Sequence, residues 1–511
     1  MKKNTFAFFV LLLSGVIVPQ LTLSQVPDWT KLIQMSTYGN QSVNCITSDS
    51  TYRYMAVGIS GPVTFDATNF SSVGLRDLLL VKINSSGVCS WKKQLNAQAN
   101  GTIYATAIKA DSVGNVIVAG TISGSVTIGL TTITSDSTKN SFLAKFDSNG
   151  NELWATAFLN FSTGVSEIAI DKNNNIFLNS KSSKLIKFNN SGSILWTQSF
   201  PDGTIQSIAI SASNLFLAGV IKAGTTNFGS IALTSLGGTY NGVIVKADLD
   251  GNYQNSLLVK GSVSLQGSTI SDIKVDKTGN LYITGGFTKD LELGTNIITN
   301  SSVANYTYVA KCNSNFQFSW VNSSTSFVNT AAGMFAFRVF VDNSNNVYQY
   351  GTNSNSITYG SVTSNQNSGQ FLFKFDANGN ATNSFELQNT SLDITKVTTT
   401  GKVLKAGSYT SIGDPNYMNF FITQSNNNLT QEWQQISTNS KSGNATILSV
   451  KYDNLGNSYL KSRITGYCDY FGSIINTSYY LTIISKHDVS GNLLWMKTIR
   501  DINPDRFGTT F

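Results

Sequence analysis

Residues 107–120 read AIKADSVGNVIVAG, and residues 141–154 read SFLAKFDSNGNELW. In both stretches an apolar run leads into an Asp-x-x-Gly-Asn segment, and a second apolar run follows it. Such a segment favours a tight hairpin, because the Asp side chain can accept hydrogen bonds from the turn and Gly or Asn tolerates a positive φ. Together the two stretches predict four short strands that are joined in pairs by hairpins.

The same order of strands and turns recurs along the chain. Tryptophan follows the second turn at intervals of roughly 60 residues, in the series Trp29, Trp91, Trp154, Trp196, Trp320, Trp433 and Trp495, with Ser256 and Ser384 in its two gaps. This spacing gives eight units. The unit that ends at Trp196 lacks the Gly- and Thr-rich excursion of the other units but keeps the strand segments. We therefore expect the excursion to be a loop on a four-stranded core.

One four-stranded unit cannot bury both of its apolar faces, so the units must stack against one another. Stacking around an axis buries every face and leaves no exposed end unit. The sequence thus predicts an all-β protein, a single β-propeller of about eight four-stranded blades. A linear β-solenoid is the alternative, although solenoid periods are usually shorter and more uniform. We also expect the Trp29 segment to pair beside the last blade and close the ring.

The first residues have the features of a secretory signal peptide. Lys2 and Lys3 precede an apolar stretch from Phe6 to Val18, and Thr22 and Ser24 are small residues suited to a cleavage site. We expect a signal peptide over residues 1–24, a propeller domain over 25–500 and a short tail over 501–511. The mature chain would then be secreted or held at the cell surface, with no membrane span.

The repeat resembles that of bacterial exported proteins of the seven-bladed β-propeller repeat family. The resemblance rests on the order Asp-x-x-Gly-Asn-aromatic, Gly, Phe-Gly, Ala-Lys-Phe-Asp and Gly-Asn-x-Leu-Trp, and it covers roughly residues 40–500. It implies export and repeat architecture, and its name implies seven blades as the alternative to eight. It supplies no catalytic residue to carry over.

Several residue types could form a catalytic or metal-binding site, but their number and spacing argue against most such sites. His487 is the single histidine, which excludes sites that need several histidines and leaves only a Ser-His-Asp triad to consider. No carboxylate pair of the kind that glycosidases use can be identified from the spacing of the five glutamates, Glu152, Glu167, Glu292, Glu386 and Glu432. The sequence therefore assigns no catalytic, metal-binding or cofactor-binding residue.

Two recurring features have both a structural and a functional interpretation. Oxygen-bearing side chains at alternate turn positions, such as Asp147, Asn149 and Asn151, could bind calcium but are also what a hairpin needs. Lysine precedes the second turn in seven units, as Lys82, Lys145, Lys187, Lys246, Lys311, Lys374 and Lys486. These lysines could form a ring that attracts an anionic polymer, or they could pack along a neighbouring strand. We favour turns and packing.

The charge composition argues against nucleic acid as a partner. The net charge is +7 with 12% charged residues, and no run of five basic residues occurs, so nucleic acid is not an expected partner. We expect a non-enzymatic binding or interaction module, with an extracellular glycan or protein as partner and an unassigned binding site. The alternatives are an extracellular carbohydrate-active enzyme on a propeller scaffold and a structural surface spacer, because propellers host all three.

Overall fold

A computed structural model describes residues 41–501 apart from 49–51, 66–67, 85–87, 139, 159–164, 166, 181–182, 201, 262–266, 303, 326–334, 354–355, 365–368, 389–393, 399, 412–413, 437–443 and 454. The predicted signal peptide, the Trp29 segment and residues 502–511 of the predicted tail therefore lie outside the described residues. No helix long and apolar enough to cross a bilayer occurs within the described part.

The first half of the described chain forms twenty strands. Their bounds are β1 (Gln41–Ser48), β2 (Tyr52–Ile59), β3 (Pro62–Phe65), β4 (Thr68–Ser71), β5 (Asp77–Asn84), β6 (Cys89–Ala97), β7 (Thr102–Ala110), β8 (Val116–Ser123), β9 (Ser125–Ile128), β10 (Thr131–Thr134), β11 (Ser141–Phe146), β12 (Glu152–Phe158), β13 (Glu167–Ile170), β14 (Ile176–Asn179), β15 (Lys184–Phe188), β16 (Ile194–Ser199), β17 (Gly203–Ile210), β18 (Asn214–Phe228), β19 (Ile231–Asp248) and β20 (Tyr253–Gly261).

The second half continues in the same way. Its strands are β21 (Asp272–Val275), β22 (Leu281–Thr288), β23 (Asp290–Leu293), β24 (Asn296–Thr299), β25 (Asn305–Cys312), β26 (Phe318–Ser323), β27 (Phe335–Val341), β28 (Val347–Asn353), β29 (Ile357–Tyr359), β30 (Val362–Ser364), β31 (Gly369–Phe375), β32 (Ala381–Gln388), β33 (Ile394–Val397), β34 (Val403–Ser411), β35 (Asp414–Ser425), β36 (Gln431–Ile436), β37 (Asn444–Tyr452), β38 (Ser458–Tyr470), β39 (Ser473–His487) and β40 (Leu493–Asp501).

Antiparallel four-stranded meanders account for the main sheets. In chain order the units are β1-β2-β5-β6, β7-β8-β11-β12, β13-β14-β15-β16, β17-β18-β19-β20, β21-β22-β25-β26, β27-β28-β31-β32, β33-β34-β35-β36 and β37-β38-β39-β40. Six of these sheets consist of the four strands alone, and two gain a further hairpin. The protein is thus an all-β propeller, as the repeat predicts. We number the units in this order and call the first strand of each unit its innermost strand.

The excursions are β-hairpins, so the expectation of a loop is wrong for the described units. The hairpin β9-β10 of the second unit pairs with β6, the outermost strand of the first unit, and β23-β24 of the fifth unit pairs with β20 of the fourth. Each hairpin therefore covers the free edge of the preceding sheet, which an isolated blade would leave unpaired. The third unit has no such hairpin. There β15 is the next strand after β14 in the chain, and the two strands pair.

A β-bulge in the innermost strand explains the glycine that recurs in the second strand. The bulge in β7 falls between Ala105 and Ala107, and Gly120 of β8 pairs with Ala105. A Cβ on Gly120 would lie 1.8 Å from the carbonyl oxygen of Tyr104. In the fourth unit, Gly219 faces the bulge of β17, and a Cβ there would lie 2.0 Å from the Thr204 carbonyl oxygen. Glycine is needed at these positions because the two backbones approach so closely.

Tryptophan and lysine join each unit to the next along the outer strands. The indole N–H of Trp91 and the ammonium of Lys82 both donate to the carbonyl of Ser148, in the last turn of the second unit. Trp154 donates in the same way to the Asn190 carbonyl of the third unit, at 2.9 Å. The repeated tryptophans therefore support contacts between units, although the side chain of Trp154 is only half-buried.

The last unit packs against the first. Tyr459 and Trp495 of the eighth unit share a hydrophobic cluster with Val57 and Leu79 of the first, and Trp495 is only 4% exposed. Both units contain four strands without any contribution from the Trp29 segment, so the prediction that this segment supplies an additional closing strand falls outside the described residues and is not required by either sheet.

Candidate functional site

The innermost strands carry one buried apolar face and one charged face. Side chains alternate between the two faces of a strand. Ile108, Ile273 and Val339 are buried. Each lies three residues before the residue that begins the first turn of its unit. The residues that stand two and four positions before the first residue of that turn lie on the opposite face of the strand. In several units they are charged, and we call Lys109, Glu167, Asp272, Lys274, Arg338 and Lys451 the axial cluster.

The innermost strands contact one another in sequence order, and β37 of the eighth unit also contacts β1 of the first. Residues of the axial cluster from units that are not neighbours in the chain therefore face a common axis. Electrostatics agree with this placement, because the charge of Arg338 in the sixth unit acts on both Glu167 in the third and Lys451 in the eighth.

The two carboxylates of the axial cluster bind neighbouring innermost strands. Glu167 accepts a hydrogen bond from the backbone N–H of Ile208 at 3.2 Å. Asp272 is fully buried and accepts bonds from the Ser207 hydroxyl at 2.8 Å and the Val339 N–H at 3.1 Å. Asp272 also pairs with Lys274 at 2.6 Å. Both carboxylates are therefore committed to holding units together.

The remaining cations of the cluster have no such counterpart. Within the described part of the chain, Lys109, Arg338 and Lys451 form neither an ion pair nor a hydrogen bond through their side chains. Lys109 is exposed, whereas Arg338 and Lys451 are half-buried. Burial first, and then the positive charges of Lys109 and Arg338, hold the pKa of Lys451 below its ordinary value. Within the described residues, the axial face thus holds three cations that form no ion pair, with Glu167 as the acidic group on which Arg338 acts.

In the repeated turns the first side chain forms hydrogen bonds with other residues of the same turn. Asp147 Oδ1 accepts from the N–H groups of Asn149 and Asn151, and Oδ2 accepts from the Asn151 amide. Burial alone would raise the pKa of Asp147, but these hydrogen bonds lower it overall. The turn that begins with Asn189 forms the same backbone bonds without a charge. A carboxylate is therefore not needed for the turn, which supports the hairpin interpretation.

We expect a chelator such as EDTA to leave the melting temperature of the protein unchanged, because the turn oxygens are satisfied by hydrogen bonds within the turn. Differential scanning fluorimetry with and without chelator measures this directly. A fall in melting temperature that calcium restores, and magnesium does not, would instead show that the turns bind calcium.

His487 lies inside the eighth unit and not at a surface. Its Nε2 is 3.0 Å from the hydroxyl of Ser485, whose other partner is the Tyr470 hydroxyl at 2.7 Å. Its Nδ1 is 3.2 Å from the carbonyl of Gly491, where a catalytic triad would have a carboxylate. His487 and Ser485 are both fully buried. The contact is part of an internal hydrogen-bond chain and offers no path to a substrate.

Replacing His487 by phenylalanine should remove a pH dependence of stability. Burial lowers the pKa of His487 to about 4, so between pH ~6.5 and pH ~4 the unfolded chain binds a proton that the folded protein does not. The free energy of unfolding should fall by about 3 kcal/mol over that range in the wild type. Phenylalanine occupies the equivalent position as Phe146 and Phe375, so His487→Phe should fold and show a shallower profile than the wild type.

Urea unfolding of both proteins at several pH values tests this, and the difference between them isolates His487 because the chain has one histidine. The turn aspartates with lowered pKa values, such as Asp147, lose their contribution as the pH falls below about 5, but they do so equally in both proteins. Equal slopes for wild type and His487→Phe between pH 4 and 6.5 would contradict the assignment.

The other residues singled out from the sequence have structural surroundings. The recurring lysines Lys82, Lys145, Lys187, Lys374 and Lys486 are buried, so they form no solvent-facing ring, and the packing interpretation is confirmed. The glutamates lie in five different units; Glu292 pairs with Lys260, and Glu432 with Lys402. Among the described residues no group of three or more His, Cys, Asp or Glu is placed to hold a metal ion. All four cysteines are free.

Sequence reasoning missed the axial cluster, although a signal for it exists. Lys109, Lys274, Lys396 and Lys451 each stand two residues before the residue that begins the first turn. Within one unit a lysine in an alternating strand is typical of a solvated face. Only comparison of the same position across units, together with the circular arrangement, indicates that Lys109, Lys274 and Lys451 face the same axis.

Comparison with known proteins gives no family. No family model matches the chain, and no curated protein matches it. Among solved structures, the chain is similar to the C-terminal WD40 domain of Sif2, with 9% identity, a TM-score of 0.46, and coverage of 85% of this chain and 94% of that one. It is also similar to BamB from Moraxella catarrhalis, with 12% identity, a TM-score of 0.38 and coverage of 78% and 96%. The Dos1 propeller matches at 11% identity and a TM-score of 0.40, over 79% and 93%.

Proposed function

We propose that the protein is an exported, non-enzymatic binding module whose ligand enters the ring along its axis. The observation that carries this proposal is the contrast between the faces of the units. Positions that join units repeat the same residue types, such as Lys82 and Lys145 or Trp91 and Trp154. The axial positions vary more between units, and among the described residues Lys109, Arg338 and Lys451 there form no ion pair. Departures of this kind from an otherwise consistent design are expected at functional sites.

Export is supported by the composition of residues 1–24 and by the resemblance to exported repeat proteins. Immunoblotting of culture medium, periplasm and cytoplasm from cells that express the full chain tests it. A mature protein of residues 25–511 outside the cytoplasm is the expected result. Retention of the full chain in the cytoplasm would contradict export.

A glycan array probed with mature protein, residues 25–511, tests binding. Retention of a defined set of glycans, reduced by Lys109→Met, is the expected result, and an absence of any retained ligand across glycan and protein arrays would favour the structural spacer. Hydrolysis of a retained glycan during incubation would favour the carbohydrate-active enzyme instead.

The ring is inferred to have eight blades, one for each four-stranded unit. Support comes from the sheet order and from contacts between innermost strands that run from β1 to β37 and return to β1. The six-stranded sheets count as blades because each contains a four-stranded meander that a hairpin extends. Cryo-electron microscopy class averages viewed along the axis should display eight arms. Six or seven arms would overturn the count.

A further inference from the structure

We propose that the axial cluster binds a compact oxyanion with two or more negative charges, of the phosphate or polycarboxylate class. This inference deepens the proposed function and rests on it, because it assigns a ligand chemistry to the axial face. The cations concerned are Lys109, Arg338 and Lys451, on β7, β27 and β37. No two of them lie on adjacent units.

The first step is that these cations are close enough to affect one another. The charges of Lys109 and Arg338 both act on Lys451, although one unit separates Lys451 from each of them along the ring. A side chain that only covered its own strand would feel its neighbours in the same sheet instead. Because the innermost strands also contact one another in order from β1 to β37 and back to β1, the side chains on their axial faces share a common space.

The second step is that the protein supplies too little negative charge there. Asp272 is occupied by Lys274, Ser207 and two backbone N–H groups, and Glu167 accepts the Ile208 N–H. Burial, against the charge of Lys274, raises the pKa of Glu167, which weakens it further as a counter-charge. Partly buried like charges without a counter-charge are costly, so a bound anion would relieve the repulsion.

The third step concerns the size and charge of the ligand. Cations that approach from separate directions around an axis suit a ligand that presents oxygens on several sides. Arginine can bind two oxygens of one phosphate or carboxylate at once, and lysine acts as a point charge beside it. A neutral sugar would leave the repulsion in place. A compact multivalent oxyanion is therefore the chemistry that the axial cluster fits.

The test uses mature protein, residues 25–511, with pyrophosphate, inorganic phosphate and citrate as separate probes at low ionic strength. Calorimetry and thermal unfolding are measured on wild type, Lys451→Met and Lys109→Met. Methionine has a similar length without the charge. Lys222→Met, on the exposed part of β18, is the matched control. Sodium chloride at equal ionic strength controls for screening.

We expect at least one probe to bind and to raise the melting temperature of the wild type and of Lys222→Met, with at least a tenfold loss of affinity in the two axial variants. Lys451→Met should also melt at a higher temperature than the wild type without anion, because a repulsion is removed. A variant that merely folded badly would melt lower, so the two effects are separable. Binding by pyrophosphate and phosphate alone would indicate the phosphate class, and binding by citrate alone the polycarboxylate class.

The inference is overturned if no probe binds, if the axial variants bind like the wild type, or if sodium chloride stabilises as strongly as the probes. If no probe binds while the glycan array finds a ligand, the oxyanion inference fails and the binding function stands. If neither assay finds a ligand, the proposed function itself fails.

Discussion

Replacement of Asp272 by alanine should lower the free energy of unfolding by about 3–5 kcal/mol. Asp272 is fully buried, and its carboxylate accepts the Ser207 hydroxyl, the Val339 N–H and the Lys274 ammonium. These donors come from three consecutive units. Alanine would remove this acceptor from the Ser207 hydroxyl and the Val339 N–H, whereas Lys274 would keep the Ile273 carbonyl. Unpaired donors in a buried site cost far more than the loss of an exposed pair.

Glu292→Ala is the matched control, since it breaks a carboxylate–lysine pair of similar length whose side chains are 39% and 45% exposed. Exposed pairs contribute little, so the control should lose less than about 1 kcal/mol. Urea denaturation of both variants gives the comparison. Similar losses in the two variants would mean that Asp272 does not join the units.

Gly120→Ala is the second substitution for which we expect a large effect, with a loss of about 3 kcal/mol or more in the free energy of unfolding. The added Cβ would lie 1.8 Å from the Tyr104 carbonyl oxygen, which is backbone held in place by the bulge of β7. A flexible side chain could move aside, but this carbonyl cannot without breaking the pairing of β7 with β8.

Gly279→Ala separates crowding from backbone conformation. Gly279 has φ of 87°, and a Cβ there would meet nothing within 4 Å. Its substitution should cost only the left-handed conformation, about 1 kcal/mol. Chemical denaturation of both variants measures the difference. A loss for Gly120→Ala no larger than that for Gly279→Ala would show that the bulge adapts.

The sequence predicts the four-stranded unit well because its turns are determined locally. In the turn from Asp147 to Asn151 the hydrogen bonds of the Asp147 carboxylate are made within five residues, so the residues that specify the turn are adjacent in the chain. The regular spacing of the tryptophans is recognisable in the sequence for a similar reason. Trp91 and Trp154 each pack on the turn of the following unit, so one contact type repeats with the period of the chain.

The sequence does not predict the hairpins or the axial cluster, because both depend on contacts between distant residues. The pairing of Asn96 with Thr127 joins two units and leaves no local pattern beyond Thr-rich composition. Lys109, Arg338 and Lys451 come together only because the innermost strands surround an axis. Their positions relative to the first turn become informative only once the circular arrangement of the units is known.

The third unit shows that a four-stranded sheet of this fold forms without an excursion hairpin. Its strands β14 and β15 connect without an excursion hairpin, and the unit still forms a four-stranded sheet that packs between its neighbours. The hairpin tips of other units are therefore places where added length is tolerated. The tip at Gly229 and Ser230, between β18 and β19, is exposed and distant in the sheet from β17 on the axial face. A peptide tag or fluorescent label inserted there should report on the protein without disturbing the ring.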